Sequence, residues 1–382
     1  MMTITKNIFT VYLLLIFLAF GKIYPQTADT LLSSYDRIKY SSRTSNKLIG
    51  ASFVTGYMIS HAKEVINLRG LHPQVYELDF NWHLNNDEVW NDCHCYPRIG
   101  AFLAYHNFVN TDLLGEGYSG GLTFTYFFGI PESFNVHLKG KTGLSYLTKP
   151  FSKNSHPNNM AYATYLNYLI SVGAGISLRL TDKLEVQVDG SMNHQSNAAL
   201  LEPNGGLNYW AIAVSTNYYL DKPDFYERNI PDTYLSNPKK TRWDLSFSYG
   251  ISSMPYPMPG QVPIYGFTIL RSWQIWRFTA LTIAGELERN SRAVEITRRN
   301  NPEKEVDPLR ASVLSGIEFL MGNVIFSIQI GAYIYRPFKD CSDIYQRWGL
   351  VYNLYKGVYA GLNFKSYLNC ADHLSARITF SF

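Results

Sequence analysis

Polar and apolar residues alternate along most of this chain, which is the pattern of β-strands with one buried face. The segment "KLEVQVDG" is apolar at positions 184, 186 and 188 and polar at 185, 187 and 189. Segments of about ten residues with this alternation recur, separated by clusters of Gly, Asn, Asp and Pro. The pattern predicts an all-β protein, an antiparallel outer-membrane β-barrel of about 16 strands.

The lengths of the connections support a membrane barrel. Those on one side are short, such as "LTDK" and "MGN", whereas "TKPFSKNSHPNNMAYAT" and "RNSRAVEITRRNNPEKEVDP" lie on the other side. Short periplasmic turns alternate with longer outer loops in such barrels. A soluble β-sandwich also has alternating strands. The 15% aromatic content and the amphipathic final segment "SARITFSF" favour the membrane barrel.

The two halves of the chain resemble each other. "NVHLKGKTGLSYLTKPF" (135–151) pairs with "NVIFSIQIGAYIYRPF" (323–338), and each has Gly eight residues after Asn and ends in Pro-Phe. We therefore predict an eight-strand half over 27–220, a polar linker over 221–240 and a second half over 241–382. The halves either share one sixteen-strand barrel or close separately as two eight-strand barrels in tandem.

The N-terminus predicts export. Lys6 precedes an apolar run over 8–21, which is the pattern of a secretory signal peptide, and we place its cleavage after Gln26 (signal peptide 1–26). After the first thirty residues no run of about 18 apolar residues occurs, which excludes membrane-spanning helices. The net charge of +4 comes without a Lys/Arg stripe, so no nucleic-acid partner is expected.

The chain has 4 cysteines. The run Cys93-His94-Cys95 lacks the second ligand pair of structural zinc sites, so we predict no metal site. Cys93 and Cys95 fall in a predicted periplasmic turn, and Cys341 and Cys370 fall in predicted outer loops. An exported protein allows a disulfide between the last two; isolated thiols are the alternative.

His194 and Ser196 continue the even-numbered apolar stripe of the seventh strand, so they are predicted to face lipid. If 198–205 form the hairpin loop, Asn208 on the eighth strand lies opposite His194. Polar groups that face lipid cost free energy unless they are satisfied. A serine, a histidine and a third group that orients the imidazole meet the requirements of nucleophilic catalysis. The alternative interpretation is an ordinary polar rim of the barrel.

The second half is predicted to lack this pair. Sliding it onto the first half by 173 residues (367 − 194) aligns Tyr367 with His194 and Asn369 with Ser196.

The string "HQSNAALLEPNGGLN" (194–208) closely resembles the lipid A 3-O-deacylase family, the PagL-like acyloxyacyl hydrolases, in an extended form. That family is an eight-strand barrel with a serine–histidine–acid site on its lipid-facing surface. The resemblance implies that Ser196 is the nucleophile and His194 the general base. It also implies an oxyanion hole made by the Asn197 side chain and the Ala199 N–H.

The implied function is that of a serine esterase in the outer membrane of a diderm bacterium, surrounded by outer-membrane lipid. Its substrate would be lipid A of lipopolysaccharide, from which it removes the ester-linked 3-O-acyl chain without metal or cofactor. The oligomeric state stays open. Two other functions remain: a non-catalytic barrel (a pore or structural protein with a vestigial site), and a surface protein that binds ligands through its loops.

One position departs from the family. Its small members have glutamate where this chain has Asn208, fourteen residues after His194 (208 − 194). An amide accepts a hydrogen bond from imidazole but does not neutralise an imidazolium. Three explanations stay open: Asn208 suffices, Glu202 in the loop reaches the histidine, or the site has lost activity.

Overall fold

The computed structural model describes residues 45–60, 62–87, 89–90, 95–128, 133–225, 241–276, 278–300, 303, 305–338, 342–367 and 370–382. The predicted signal peptide and positions 226–240 of the predicted linker lie outside this part. Sixteen strands form two closed antiparallel barrels of eight strands each. The predicted strand number is confirmed, and of the two arrangements left open the chain adopts the tandem one.

Each barrel closes by pairing its first strand with its last. The first barrel comprises β1 (Ser45–Ile59), β2 (Gln74–Leu84), β3 (Arg98–Asn107), β4 (Glu116–Phe127), β5 (Phe134–Leu147), β6 (Leu166–Arg179), β7 (Leu184–Ser196) and β8 (Leu207–Tyr219). The second comprises β9 (Thr241–Ser253), β10 (Gln261–Gln274), β11 (Thr279–Asn290), β12 (Leu309–Met321), β13 (Val324–Tyr335), β14 (Ile344–Tyr355), β15 (Val358–Tyr367) and β16 (Cys370–Ser381). The connections carry a 3₁₀ helix (Lys63–Leu68) and the helices α1 (Thr111–Leu114) and α2 (Ser291–Asn300).

The connections differ between the two ends of the barrels. The turns at 180–183, 322–323 and 356–357 are short, whereas the connections at 148–165 and 291–308 at the other end are long. The predicted alternation is therefore present, with the β2–β3 connection (85–97) as a longer member of the turn end. None of the described helices is long and apolar enough to cross a membrane.

Side chains alternate between a polar lumen and an apolar outer wall, because successive strand residues point to opposite faces. On β8, Trp210, Ile212 and Val214 are 59%, 61% and 50% exposed, while Tyr209 and Ala211 are buried. The odd-in, even-out parity predicted for this strand is confirmed.

Charged side chains fill both lumens. In the first barrel Arg98 pairs with Glu185 at 2.9 Å. In the second, Lys365 pairs with Glu286 at 3.0 Å and with Glu288 at 2.8 Å. All five side chains are buried. An eight-strand barrel has an interior only wide enough for side chains, so these networks occupy the space that a pore would need.

The barrels touch at both ends. At the turn end Tyr126 packs on Phe278 with ring centroids 5.6 Å apart, and at the loop end Phe151 meets Tyr256 edge-on at 5.5 Å. Since turn end meets turn end and loop end meets loop end, both barrels direct their long loops the same way.

The predicted 173-residue register between the halves is wrong for β7 and β15. Tyr367 is 4% exposed and accepts a hydrogen bond from Arg310 at 3.1 Å inside the second lumen. An odd shift moves every residue to the opposite face of a strand, so this register superposes an inward tyrosine on an outward histidine. Asn369 lies outside the described residues.

Candidate active site

The β7–β8 hairpin holds the candidate residues. Strand pairing sets His194 directly opposite Asn208, as predicted, and the connection between the two strands runs over 197–206 rather than the predicted 198–205. Ser196 is the last residue of β7, two positions beyond His194 and on the same face. The end of the hairpin therefore collects three polar side chains.

These three side chains form a continuous hydrogen-bond relay. The Asn208 Oδ1 atom lies 2.7 Å from His194 Nδ1, and Ser196 Oγ lies 2.8 Å from His194 Nε2. A carbonyl oxygen only accepts, so Nδ1 carries the proton. Nε2 is then left as the acceptor for the Ser196 hydroxyl, which is the tautomer that a general base requires.

The relay lies on the outer side of the barrel wall. The odd neighbours Asn193 and Gln195 point into the lumen and are 8% and 0% exposed. His194 is half-buried, and Ser196 on the same outward face is only 3% exposed. The hydroxyl is thus shielded from solvent, and electrostatic interactions are stronger in such a water-poor environment than in water.

Gly206 gives the imidazole its space. Its φ is +72°, in the left-handed region that favours glycine, and an added Cβ would lie 3.0 Å from His194 Cε1. Any larger residue here would both strain the backbone and press on the ring.

A strained turn follows directly after Ser196. Ala198 and Ala199 have φ values of 55° and 61°, and the Leu200 N–H donates to the Asn197 carbonyl at 3.2 Å, as in a type I′ turn. The left-handed conformation costs roughly 1–2 kcal/mol for each non-glycine residue. Such strain concentrates at functional sites.

The turn presents two successive backbone amides, an arrangement that forms anion-binding concavities. The Ala198 N–H lies 3.4 Å from Ser196 Oγ. The Ala199 N–H has no hydrogen-bond acceptor in the part of the chain that the structure describes. The sequence-based site included Ala199 and missed Ala198, because alanine gives no signal of a positive φ.

The Asn197 side chain organises this turn from within. It is 1% exposed; its Nδ2 donates to the Leu201 carbonyl at 2.7 Å, and its Oδ1 accepts from the Leu200 N–H at 3.1 Å. The amide that the family resemblance assigns to the oxyanion hole is therefore engaged within the loop.

Glu202 makes its hydrogen bond within the same loop. Its carboxylate accepts a hydrogen bond from the Asn204 N–H at 3.0 Å, while the position next to the imidazole is taken by Asn208. Burial raises the pKa of Glu202 above its usual value, and the positive charge of Arg292 from the second barrel partly opposes this shift.

The predicted cysteine chemistry falls largely outside the described residues, which exclude Cys93, His94 and Cys341. Cys95 is disulfide-bonded. Elsewhere, Glu288, Asp372 and His373 bring ligand atoms within 4.8 Å of one another inside the second barrel. The Arg310 guanidinium donates to the Asp372 carboxylate at 2.6 Å. The positive charge of this arginine therefore already offsets the negative charge of Asp372.

Comparison with known proteins connects the part of the chain that contains this hairpin to a class of lipid hydrolases. Residues 74–217 match the family described as lipid A 3-O-deacylase (PagL), and residues 241–382 match the family described as acyloxyacyl hydrolase, C-terminal domain. The chain belongs to the lipid A 3-O-deacylase family, in its extended, two-barrel form. No curated protein sequence matches it.

Three solved structures with a similar fold each cover less than half of this chain. The outer membrane enzyme PagL is 16% identical over 44% of this chain and 97% of its own, with a TM-score of 0.31. Neisserial surface protein A is 12% identical over 45% and 96%, with a TM-score of 0.30. The N-terminal barrel of Pseudomonas aeruginosa OprF is 12% identical over 46% and 99%, with a TM-score of 0.28.

Proposed function

We propose that this protein is an outer-membrane serine esterase that removes the 3-O-acyl chain from lipid A. The observation that carries the proposal is the Ser196–His194–Asn208 relay on the outward face of the first barrel, in a member of this family. A lipid ester lies in the membrane, and a site on the barrel wall meets it there.

In the first half of the reaction, Ser196 Oγ attacks the ester carbonyl carbon and passes its proton to His194 Nε2. The carbonyl oxygen becomes an oxyanion, which the Ala198 and Ala199 N–H groups stabilise. One such donor is typically worth about 3 kcal/mol of transition-state stabilisation. When the intermediate collapses, the C–O bond to the sugar breaks and His194 returns its proton to the leaving alkoxide.

In the second half, water attacks the acyl group on Ser196. His194 Nε2 takes a proton from that water, and the second tetrahedral intermediate releases the fatty acid as Ser196 recovers the proton. Asn208 keeps the imidazole in the required tautomer throughout by accepting from Nδ1. Asn197 shapes the turn that carries the oxyanion donors.

The location belongs to the same proposal. The N-terminal signal peptide directs export and is cleaved, and the barrels insert into the outer membrane with the long loops outward. The apolar outer wall then contacts lipid, and lipopolysaccharide in the outer leaflet reaches the relay laterally.

The test is Ser196→Ala, with Ser191→Ala as the matched control. Ser191 lies on the same strand but accepts a hydrogen bond from Asn193 on the opposite face. We expect Ser196→Ala to lower release of 3-hydroxy fatty acid from lipid A about 10³-fold or more, as loss of a nucleophile does. The control should retain parental activity. Mass spectrometry of lipid A measures both, and parental deacylation by Ser196→Ala would disprove the assignment.

A further inference from the structure

The second barrel contacts the catalytic loop of the first. The Ser253 N–H donates to the Ala199 carbonyl at 2.8 Å, and the Gln261 side-chain amide donates to the next carbonyl, that of Leu200. Both donors flank the β9–β10 turn, and we call residues 253–261 the brace. The brace thus holds two consecutive carbonyls of the loop from outside.

These carbonyls control the direction of the oxyanion donors. Peptide units are planar, so only the φ and ψ of Ala199 separate the held Ala199 carbonyl from the Ala199 N–H. Holding this carbonyl and the next one therefore limits rotation of the turn that carries the donors. The Ala198 and Ala199 dihedrals lie in a region that costs roughly 1–2 kcal/mol per residue, and contacts around such a turn must over-determine it. Asn197 supplies those contacts from inside the loop, and the brace supplies them from outside.

Further contacts hold the brace in position. Tyr256 packs edge-on against Phe151 in the β5–β6 loop, 5.5 Å between ring centroids. That loop also accepts the Gly205 and Gly206 N–H groups of the catalytic loop, through the carbonyls of residues 160 and 161, at 3.0 and 2.7 Å. Within the second barrel, Arg299 of α2 donates to the Pro259 carbonyl of the brace at 2.8 Å.

We propose that the second barrel is a positioning element for the active site, whose brace holds the Ala198–Ala199 turn with its amides aimed at the ester oxygen. This inference rests on the proposed function and adds a role for the second barrel. Gln261 and Tyr256 are positioning residues, because they act on the oxyanion through the turn.

The test compares two double variants. Tyr256→Ala with Gln261→Ala removes the ring contact and the side-chain hydrogen bond of the brace. The control, Tyr265→Ala with Gln346→Ala, makes the same chemical changes on the second barrel. Tyr265 packs on Tyr249 of its own barrel, and among the described residues neither control side chain makes a hydrogen bond, an ion pair or a ring contact with the first barrel.

Two readouts are used. Titration of Ser196 with a fluorophosphonate counts reactive sites, so kcat per titrated site excludes unfolded protein. We expect this kcat to fall about tenfold in the brace variant, part of the 10²–10³-fold that loss of a whole oxyanion donor causes. KM should stay near the parental value, and the control should keep both constants. Amide hydrogen exchange over 197–203 should accelerate in the brace variant alone.

Parental kcat per titrated site in the brace variant overturns the inference, whatever the exchange shows. If the parent itself has no Ser196-dependent deacylation, the proposed function fails separately. Hydrogen exchange then tests whether the brace holds the turn. Unchanged exchange rates over 197–203 overturn this claim, and faster rates in the brace variant alone support it.

Discussion

His194 is held between two partners on one barrel wall, with the Asn208 oxygen on one nitrogen and the Ser196 hydroxyl on the other. The amide fixes the tautomer as a carboxylate would, but it adds no negative charge when the imidazole becomes protonated. In a serine protease, the change from acid to amide lowers kcat by about 10⁴. At the scale of residues, this site therefore has the geometry of a triad with a weaker electrostatic partner.

The isosteric change Asn208→Asp tests that difference. A carboxylate at the Asn208 position would stabilise the imidazolium that forms when His194 takes the serine proton. We expect kcat at neutral pH to rise about tenfold or more, a fraction of the 10⁴ that separates acid from amide in the protease. Steady-state release of fatty acid measures it, with Asn208→Ala as the control that should be slower than the parent. A slower Asn208→Asp enzyme beside a parental Asn208→Ala enzyme would contradict a role in orienting the base.

These three residues could be predicted from the sequence because strand parity and hairpin length are local properties. His194 and Ser196 share the even face, and the short connection over 197–206 sets Asn208 opposite His194. The Ala198–Ala199 turn could not be predicted. Alanine is disfavoured at positive φ, and only the contacts around the loop impose that conformation.

At the scale of elements, the β7–β8 loop joins the two barrels electrostatically as well as sterically. Glu202 is half-buried in this loop, where the positive charge of Arg292 of α2 acts on its carboxylate. The parity that placed His194 and Ser196 on one face also shows why the 173-residue alignment fails: an odd shift exchanges the faces of β7 and β15.

Glu202→Gln should remove a pH dependence of stability. Because the pKa of Glu202 is raised, the folded state keeps its proton to a higher pH than the unfolded chain, so the free energy of unfolding falls as pH rises through that window. The glutamine variant lacks this fall and should be more stable than the parent at neutral pH, with no difference below about pH 4. Urea unfolding in lipid vesicles across pH measures it.

The control for this variant is Glu305→Gln, an exposed glutamate in the 291–308 loop, which should leave the profile unchanged. The kcat of Glu202→Gln should stay near the parental value, since Asn208 is the partner of the imidazole. A collapse of kcat would instead identify Glu202 as the acid of the site.

At the scale of the whole molecule, strand pairing divides the chain into two closed barrels. The alternating pattern alone did not predict where one barrel ends and the next begins. The same strands would satisfy one sixteen-strand barrel if β8 paired with β9. Closure depends on which distant strands pair, here β1 with β8 and β9 with β16, and no local pattern specifies that choice. Two small barrels have lumens filled with ion pairs, whereas one large barrel would enclose water.

We expect no channel activity. The purified protein inserted in a planar bilayer should show no stepwise conductance, because paired charges such as Lys365 and Glu288 occupy the lumens. A porin in the same bilayer serves as the positive control. Discrete conductance steps that depend on this protein would contradict the packed lumens and support the pore hypothesis.

The outward face of His194 and Ser196 also predicts how the rate of the proposed reaction depends on the composition of the membrane. An enzyme whose active site faces the lipid meets its substrate by lateral diffusion within the leaflet. Its velocity therefore follows the mole fraction of lipid A among the neighbouring lipids. Diluting vesicles with buffer should leave turnover unchanged, while diluting the leaflet with an inert phospholipid should slow it.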